Sequence, residues 1–540
     1  MFSLSRSLAL AVAAALAAAG APLQADDNSL PEIGSSAAEL LSPAQETAYG
    51  RQMLGELRRA EYLLEDPLLE AWLGALGQGL AARSERPSQP FTFFLIRSRE
   101  INAFATLGGY IGVNAGLVLT AEREDEVAAV LAHEIAHVTQ RHIVRGVEAA
   151  QKDTLPIALA MLGAIVASQS SKSSADATQA AITSGIALMQ QRQINFTRAH
   201  EAEADRVGIN NLGRAGYDPM GMADFFGRML RATRSQGDAV PDFLRSHPVT
   251  TTRISEAKDR ADAVAQRTAR GARGGSAQPL NPILSAAFSV DLEAARGPDT
   301  RAFAFARERL RVLSAPSPAD ALAEYRRRST AGETPSDAER YGAALAAIQV
   351  GDSRGALHAL AALAPRHADF FWIDLARAEA LHAAGEIDAA EREYHALLLQ
   401  QPRNRAIALS FAARLAQQGT AAAGRQAQDV LRPLLANRME DAALQHAFAR
   451  ACEQAGDLVR AAEAYAEASF LSGHPEDALN QLQRLKERED LDYVQRARVD
   501  ARIAAMTPTV LELRARDIKP GDERPSGMHV GMGWRAPHDG

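Results

Sequence analysis

His133-Glu134-Ile135-Ala136-His137 is the stretch around which the rest of the chain organises itself. Val127, Val130, Leu131, Ala132 and Val138 recur at helical spacing, which predicts one helix with a buried stripe. Glu122, Glu124, Asp125 and Glu126 crowd its expected first turn, where negative charge suits the positive end of the helix dipole. Residues four apart on a helix share a face, with Cβ atoms about 5–6 Å apart. His133 and His137 so placed reach a single metal ion, and Glu134 reaches a water bound to that ion. Zinc brings such a water close to ionisation at neutral pH, and a carboxylate not spent on coordination can take its proton as it attacks a peptide carbonyl.

A catalytic zinc takes three protein ligands and keeps one position open, so a third ligand must come from elsewhere. His200-Glu201-Ala202-Glu203-Ala204-Asp205 is the candidate pool. Glu201 and Asp205 are four apart and share a helix face. One of them can ligate while the other orients a metal-bound His through its second ring nitrogen. His200 and Glu203 point roughly 100° away from that pair. His142 falls off the face of His133 and His137 and is expected on the helix surface.

The chain of 540 residues carries a net charge of −7 and is 47% hydrophobic but only 5% aromatic. That length is roughly three or four domain equivalents. No basic stripe with interleaved aromatics is present, which excludes a nucleic-acid partner. Ala-rich, aromatic-poor composition favours helices. Arg6 followed by the apolar run Leu8 to Ala19 and a small-residue cleavage site predicts a secretory signal over residues 1–25. With Cys452 the only cysteine, no disulfide framework exists, and an exported chain of this kind fits a bacterial periplasm.

Phe91 to Ile96 reads as a strand, and Asn102–Ala105 with Tyr110–Val113 around Gly108-Gly109 as a hairpin. A small sheet beside the metal helix offers an edge on which an extended peptide can pair. The 13-residue apolar run Leu155–Ala167 is too short to span a bilayer. It is either a core helix or an element making peripheral membrane contact over the site. Gly, Arg, Gln and Pro gather in Ala265–Pro282, the best linker candidate. Beyond it, Gly351, Gly385, Gly419 and Gly456 end Ala/Leu-rich helical segments at separations of 34, 34 and 37 residues. A period of that length is the tetratricopeptide signature, with Gly424 and Pro433 marking an irregular third unit. The expected domains are a signal peptide 1–25, a catalytic domain 26–264, a linker 265–298, a repeat domain 299–505 and a disordered tail 506–540.

Asn102-Ala103-Phe104-Ala105, the two glycines, His133 through His142, and Glu201-Ala202-Glu203-Ala204-Asp205 together resemble the gluzincin metallopeptidases related to HtpX and the CAAX prenyl proteases. The resemblance implies one Zn2+ per chain held by His133, His137 and Glu201, with Glu134 as general base and Asp205 behind the ligands. No stretch here matches the transmembrane helices of HtpX and the prenyl proteases. It also draws in Ser246-His247-Pro248-Val249-Thr250-Thr251-Thr252-Arg253-Ile254. Read alone, Pro248 keeps His247 out of helix and Thr250 caps a helix from about Thr251. By resemblance, His247 sits over the metal and Arg253 stabilises the oxyanion of the tetrahedral intermediate.

The fold class expected is an α+β zinc metallopeptidase domain, mostly helical with a small sheet, followed by an α-helical tetratricopeptide-repeat solenoid. Export signal and repeats extend the resemblance to periplasmic members of the family. These imply a zinc endopeptidase with chaperone-like activity, associated with the outer membrane. Its substrates would be misfolded or stalled outer-membrane β-barrel proteins, and its partner the barrel-assembly machinery. The alternative is a repeat-based chaperone or scaffold whose metal site is latent.

Overall fold

The protein is described by a computed structural model over residues 41–149, 197–235, 242–273, 300–330, 334–436, 438 and 440–515. The expected signal peptide and the apolar run at 155–167 lie outside these residues. Two compact units are present, one of Met1–Leu54 with Tyr62–Ala321, the other of Gly55–Glu61 with Leu322–Gly540.

In chain order the first stretch contains α1 (Pro43–Arg59), α2 (Pro67–Ala81), β1 (Thr92–Ile96), β2 (Ala103–Ala105), β3 (Tyr110–Asn114), α3 (Ala115–Thr120) and α4 (Glu124–Thr139). Helical segments α5 (142–149) and α6 (197–215) follow, then α7 (Gly221–Ser235), α8 (Asp242–Ser246), α9 (Thr251–Arg273) and α10 (Thr300–Leu313). The sheet has the order β1-β3-β2. β1 runs parallel to β3 from Thr92↔Tyr110 to Ile96↔Asn114, and β2 pairs antiparallel through the expected hairpin. Gly112 on the central strand lies between the rings of Phe94 and Phe104, where a Cβ would come within 2.8 Å of both.

α4 is the centre of this unit. A single buried stripe was expected, yet of its 16 residues all but Asp125, His137 and Val138 are buried. The reason lies in its neighbours: α2 and the sheet cover one side and α7 another. Its acidic first turn is wired into that packing rather than left to solvent. Trp72 Nε1 donates to Glu124 Oε1 at 2.8 Å, and the Arg228 guanidinium donates to both oxygens of Glu126 at 3.2 and 2.8 Å.

Two expected boundaries move. The repeat domain was placed from residue 299, but α10 belongs to the first unit. Its apolar face meets α2 and α3, with the Phe303 ring 6.2 Å from that of Trp72. Arg309 donates twice to Asp66, at 2.8 and 2.7 Å, while Asp66 Oδ1 also caps α2 by accepting from the Leu69 amide at 3.1 Å. The linker expected over 265–298 begins later too, because α9 runs unbroken to Arg273. Asp66→Ala removes a cap and both of these Arg309 hydrogen bonds. It is expected to lower unfolding free energy by about 3 kcal/mol in urea titrations. A loss of only a few tenths would rank the pair with exposed salt bridges.

The second stretch continues with α11 (Pro318–Thr330), α12 (Asp337–Gln349), α13 (Ser353–Leu363), α14 (Phe371–Ala383), α15 (Ile387–Gln400), α16 (Arg405–Gln418) and α17 (Ala421–Leu435). It ends with α18 (Ala442–Ala455), α19 (Leu458–Leu471), α20 (Pro475–Lys486) and α21 (Tyr493–Ala515), so the tail expected from 506 is helical to Ala515. Successive helices pack as pairs, an arrangement compatible with a helical-repeat solenoid. Gly351, Gly385, Gly419 and Gly456 all take positive φ, between 69° and 90°, where a side chain is strained. At three of these turns the following amide closes a bond of 2.9 Å to a carbonyl five residues back, Asp352 to Ala347, Glu386 to Leu381 and Asp457 to Cys452. That is a Schellman closure of the helix end. Leu360 and Tyr394, nine residues after their glycines, are fully buried. The irregular third unit has its cause in view: Pro433 lies inside α17, and Gly424 abuts the α18 backbone.

Candidate metal centre

α4 presents His133 and His137 from one face, and α6 approaches it from the side. The approach is close because residue 208 is glycine; a Cβ there would lie 3.1 Å from the His133 amide nitrogen. Ala204 and Val207 pack on Ala136 and set the register of the two helices. Glu201 is thereby delivered to the imidazoles, its Oε2 3.3 Å from His133 Nε2 and its Oε1 3.4 Å from His137 Nε2. The two Nε2 atoms are 3.0 Å apart. His247 enters from above, its Nδ1 2.9 Å from Glu201 Oε1 and 3.4 Å from His133 Nε2.

His247 is placed by local structure. It follows α8, its amide donates to the Phe243 carbonyl at 2.7 Å, and its ring stacks on Phe243 at 4.7 Å. Thr250 caps α9 as expected, its Oγ1 accepting from the Arg253 amide at 3.2 Å.

His133, His137, Glu201 and His247 thus each offer a donor atom within 4.8 Å of the other three. Donors around a tetrahedral ion with bonds of about 2.0–2.2 Å are spaced roughly 3.3–3.6 Å apart. The nitrogen and oxygen spacings here cluster close to that range. Beside them Glu134 is buried, and its Oε1 has no hydrogen-bond partner among the described residues; His247 Nε2 lies 3.6 Å away.

The electrostatics of the cluster call for positive charge. Burial alone would strip the proton from His133, but Asp205 and Glu201 outweigh it and raise its pKa to about 10. Burial and the neighbouring His133 hold His137 well below the ordinary imidazole value. Glu201 and Asp205 are both held ionised against the penalty of burial, Glu201 by His247 and His133, Asp205 by His133 and Arg253. A divalent cation satisfies the same field with bare nitrogens. The residues present therefore fit a metal ion of borderline softness bound by imidazole and carboxylate.

Asp205 stands behind the cluster, Oδ1 3.0 Å from His133 Nδ1, the atom turned away from the donors. Arg253 lies over the Phe226 ring and donates to both oxygens of Asp205 at 2.8 Å and to the Pro248 carbonyl at 2.8 Å. Its Nη1 is also 3.1 Å from Glu201 Oε2. Expected to stabilise an oxyanion, Arg253 here braces two carboxylates.

His142 was expected on the helix surface and is instead buried, in contact with His137 and Glu203. α4 stops at Thr139, and Arg141 takes a left-handed φ of 56° before α5 begins. Counting residues along a continuous helix gives the wrong azimuth after such a break. The only signal in the sequence was a third histidine so soon after the pair.

Residues 67–261 match Peptidase family M48. The chain is 38% identical over 243 residues to the beta-barrel assembly-enhancing protease of Escherichia coli K12, covering 45% of this chain and 49% of that one. The protein of the same name from Yersinia pestis is 38% identical over 233 residues, 43% of this chain and 47% of the relative. The metalloprotease LoiP of Escherichia coli K12 is 28% identical over 178 residues, 32% of this chain and 64% of LoiP. The chain thus spans about half the length of the beta-barrel assembly-enhancing proteases it matches.

Proposed function

We propose that this chain, whose residues 67–261 form a metallopeptidase domain of family M48, is a periplasmic zinc endopeptidase with chaperone-like activity. Its substrates are misfolded or stalled outer-membrane β-barrel proteins. The observation that carries the catalytic part is the convergence of His133, His137 and Glu201, with the buried Glu134 Oε1 beside them making no hydrogen bond among the described residues.

His133, His137 and Glu201 would hold the ion. Bound zinc supplies an acidified water and a Lewis acid for the peptide carbonyl. Glu134 accepts a proton at Oε1 from the attacking water and returns it to the departing amine nitrogen. Asp205 Oδ1 lies 3.0 Å from His133 Nδ1 and favours a proton on that nitrogen, which keeps Nε2 bare. Arg253 keeps Asp205 ionised and braces both Asp205 and Glu201.

The substrate class rests on the names of the relatives and on the repeat-like second unit. The 34-residue spacing, read as tetratricopeptide repeats, supports a contact surface for the barrel-assembly machinery. No helix among the described residues is long and apolar enough to cross a membrane, which is compatible with a periplasmic enzyme working at the outer membrane.

One observation favours a second reading. His247 Nδ1 lies 2.9 Å from Glu201 Oε1 and stands as the fourth donor of the cluster. A site closed by its fourth donor is latent, and the chain in that state would act as a repeat-based chaperone or scaffold. Zinc-loaded full chain incubated with an unfolded β-barrel precursor and with its folded counterpart separates the two. Cleavage of the unfolded form alone is expected. Intact precursor whose aggregation is nevertheless slowed would favour the scaffold.

A further inference from the structure

We propose that His142 and Glu203 form a relay that fixes the ring orientation and tautomer of His137. The inference rests on His137 being a metal ligand and extends it to residues outside the donor cluster.

His137 turns Nε2 toward His133 and Glu201, so its Nδ1 faces away and lies 2.9 Å from His142 Nδ1. A ligating Nε2 is bare, and the ring proton of neutral His137 then sits on Nδ1. His142 Nδ1 must therefore be the acceptor, which puts the proton of His142 on Nε2. That nitrogen is 3.0 Å from Glu203 Oε2, a carboxylate oxygen that can only accept. The opposite assignment fails at both ends. It would place a proton on the His137 nitrogen that faces the cluster, and it would set a bare His142 Nε2 against the Glu203 lone pairs. Only one direction of donation is consistent with all three groups, although protons are here assigned from the network.

The relay is held rigidly. The His142 ring stacks on His200 with centroids 4.1 Å apart and planes 6° from parallel. Arg145 Nη1 donates to the same Glu203 oxygen at 2.9 Å. His133 has the direct counterpart in Asp205 at 3.0 Å. The three acids of Glu201–Asp205 thus divide the work: Glu201 joins the cluster, Asp205 backs His133, and Glu203 backs His137 through a second imidazole. The left-handed Arg141 makes this possible by turning His142 back over the helix it has just left. His142 and Glu203 are positioning residues; neither is placed to touch substrate.

The test uses the full chain, stripped and then titrated with zinc against a chromogenic chelator. His142→Phe keeps the stacked ring but has no acceptor, and is expected to weaken zinc affinity by about 10- to 100-fold. Glu203→Ala shifts it in the same direction. His142→Asn, whose Oδ1 can accept from His137, restores most of the loss, a rescue that general destabilisation would not give. Wild-type protein that binds no zinc removes the ligand reading itself. Wild-type protein that binds zinc while His142→Phe stays within about twofold overturns the relay alone. Should the variants fail to fold, histidine nitrogen chemical shifts of zinc-loaded wild type decide the matter. An Nε2–H tautomer at His142 is expected, and an Nδ1–H tautomer overturns the proposal.

Discussion

Glu134→Gln is expected to lower kcat for peptide cleavage by at least about 10³-fold while the protein still binds one zinc ion. A factor of that size is about 4 kcal/mol of transition-state stabilisation. The amide is isosteric with the carboxylate but cannot take a proton from water near neutral pH. Glu134 is buried on α4, and its Oε1 has no hydrogen-bond partner among the described residues. The substitution therefore disturbs little packing and leaves His133, His137 and Glu201 untouched. KM should change little, since the lost interaction belongs to the transition state. Retained zinc with retained cleavage would remove Glu134 from the chemistry. If the variant also rescues every defect of a strain lacking the protein, the scaffold reading gains.

Glu201→Gln is expected to raise the zinc dissociation constant by more than about 100-fold, because partners outside the donor set already account for about 10- to 100-fold at such sites. The physical reason is charge. Glu201 is the one anion among the donors, and it is held ionised by His247 and His133 against the cost of burial. An amide fills the same space but contributes only a dipole, while Asp205 continues to hold Arg253. The fold should therefore survive. Chelator competition with circular dichroism as a control reads both quantities. Unchanged affinity in a folded variant would move the third ligand elsewhere, and cleavage would then have to be explained without this carboxylate.

Local spacing made the two imidazoles and the neighbouring carboxylate legible, because a four-residue step on a helix is a fixed geometry. The hairpin at Gly108-Gly109 and the periodic glycines were legible for the same reason, each being demanded by backbone conformation within a few residues. Glu201 and Asp205 could be proposed from their shared face, but residue types alone left open which of them would reach the donors. His142 was misjudged, since its azimuth depends on the helix break at Arg141, whereas Glu203 does point away from the donors. Arg253 was given a role at the oxyanion, whereas the carboxylates around it draw its guanidinium to Asp205 and Glu201. The domain edge near 299 was misplaced because composition registers helical character, and α10 is as helical as the repeats that follow; its partner, Asp66, lies 243 residues earlier.

By itself the sequence determined the identity of the helix that carries the imidazole pair, the hairpin beside it and the period of the second unit, all consequences of forces that act between near neighbours. Only the tertiary structure shows Glu201 beside both imidazoles, His142 buried against His137, and Arg253 bracing two carboxylates. Those outcomes turn on the close approach of two helices at Gly208, and a contact between backbones far apart in the chain leaves no periodic trace in either segment.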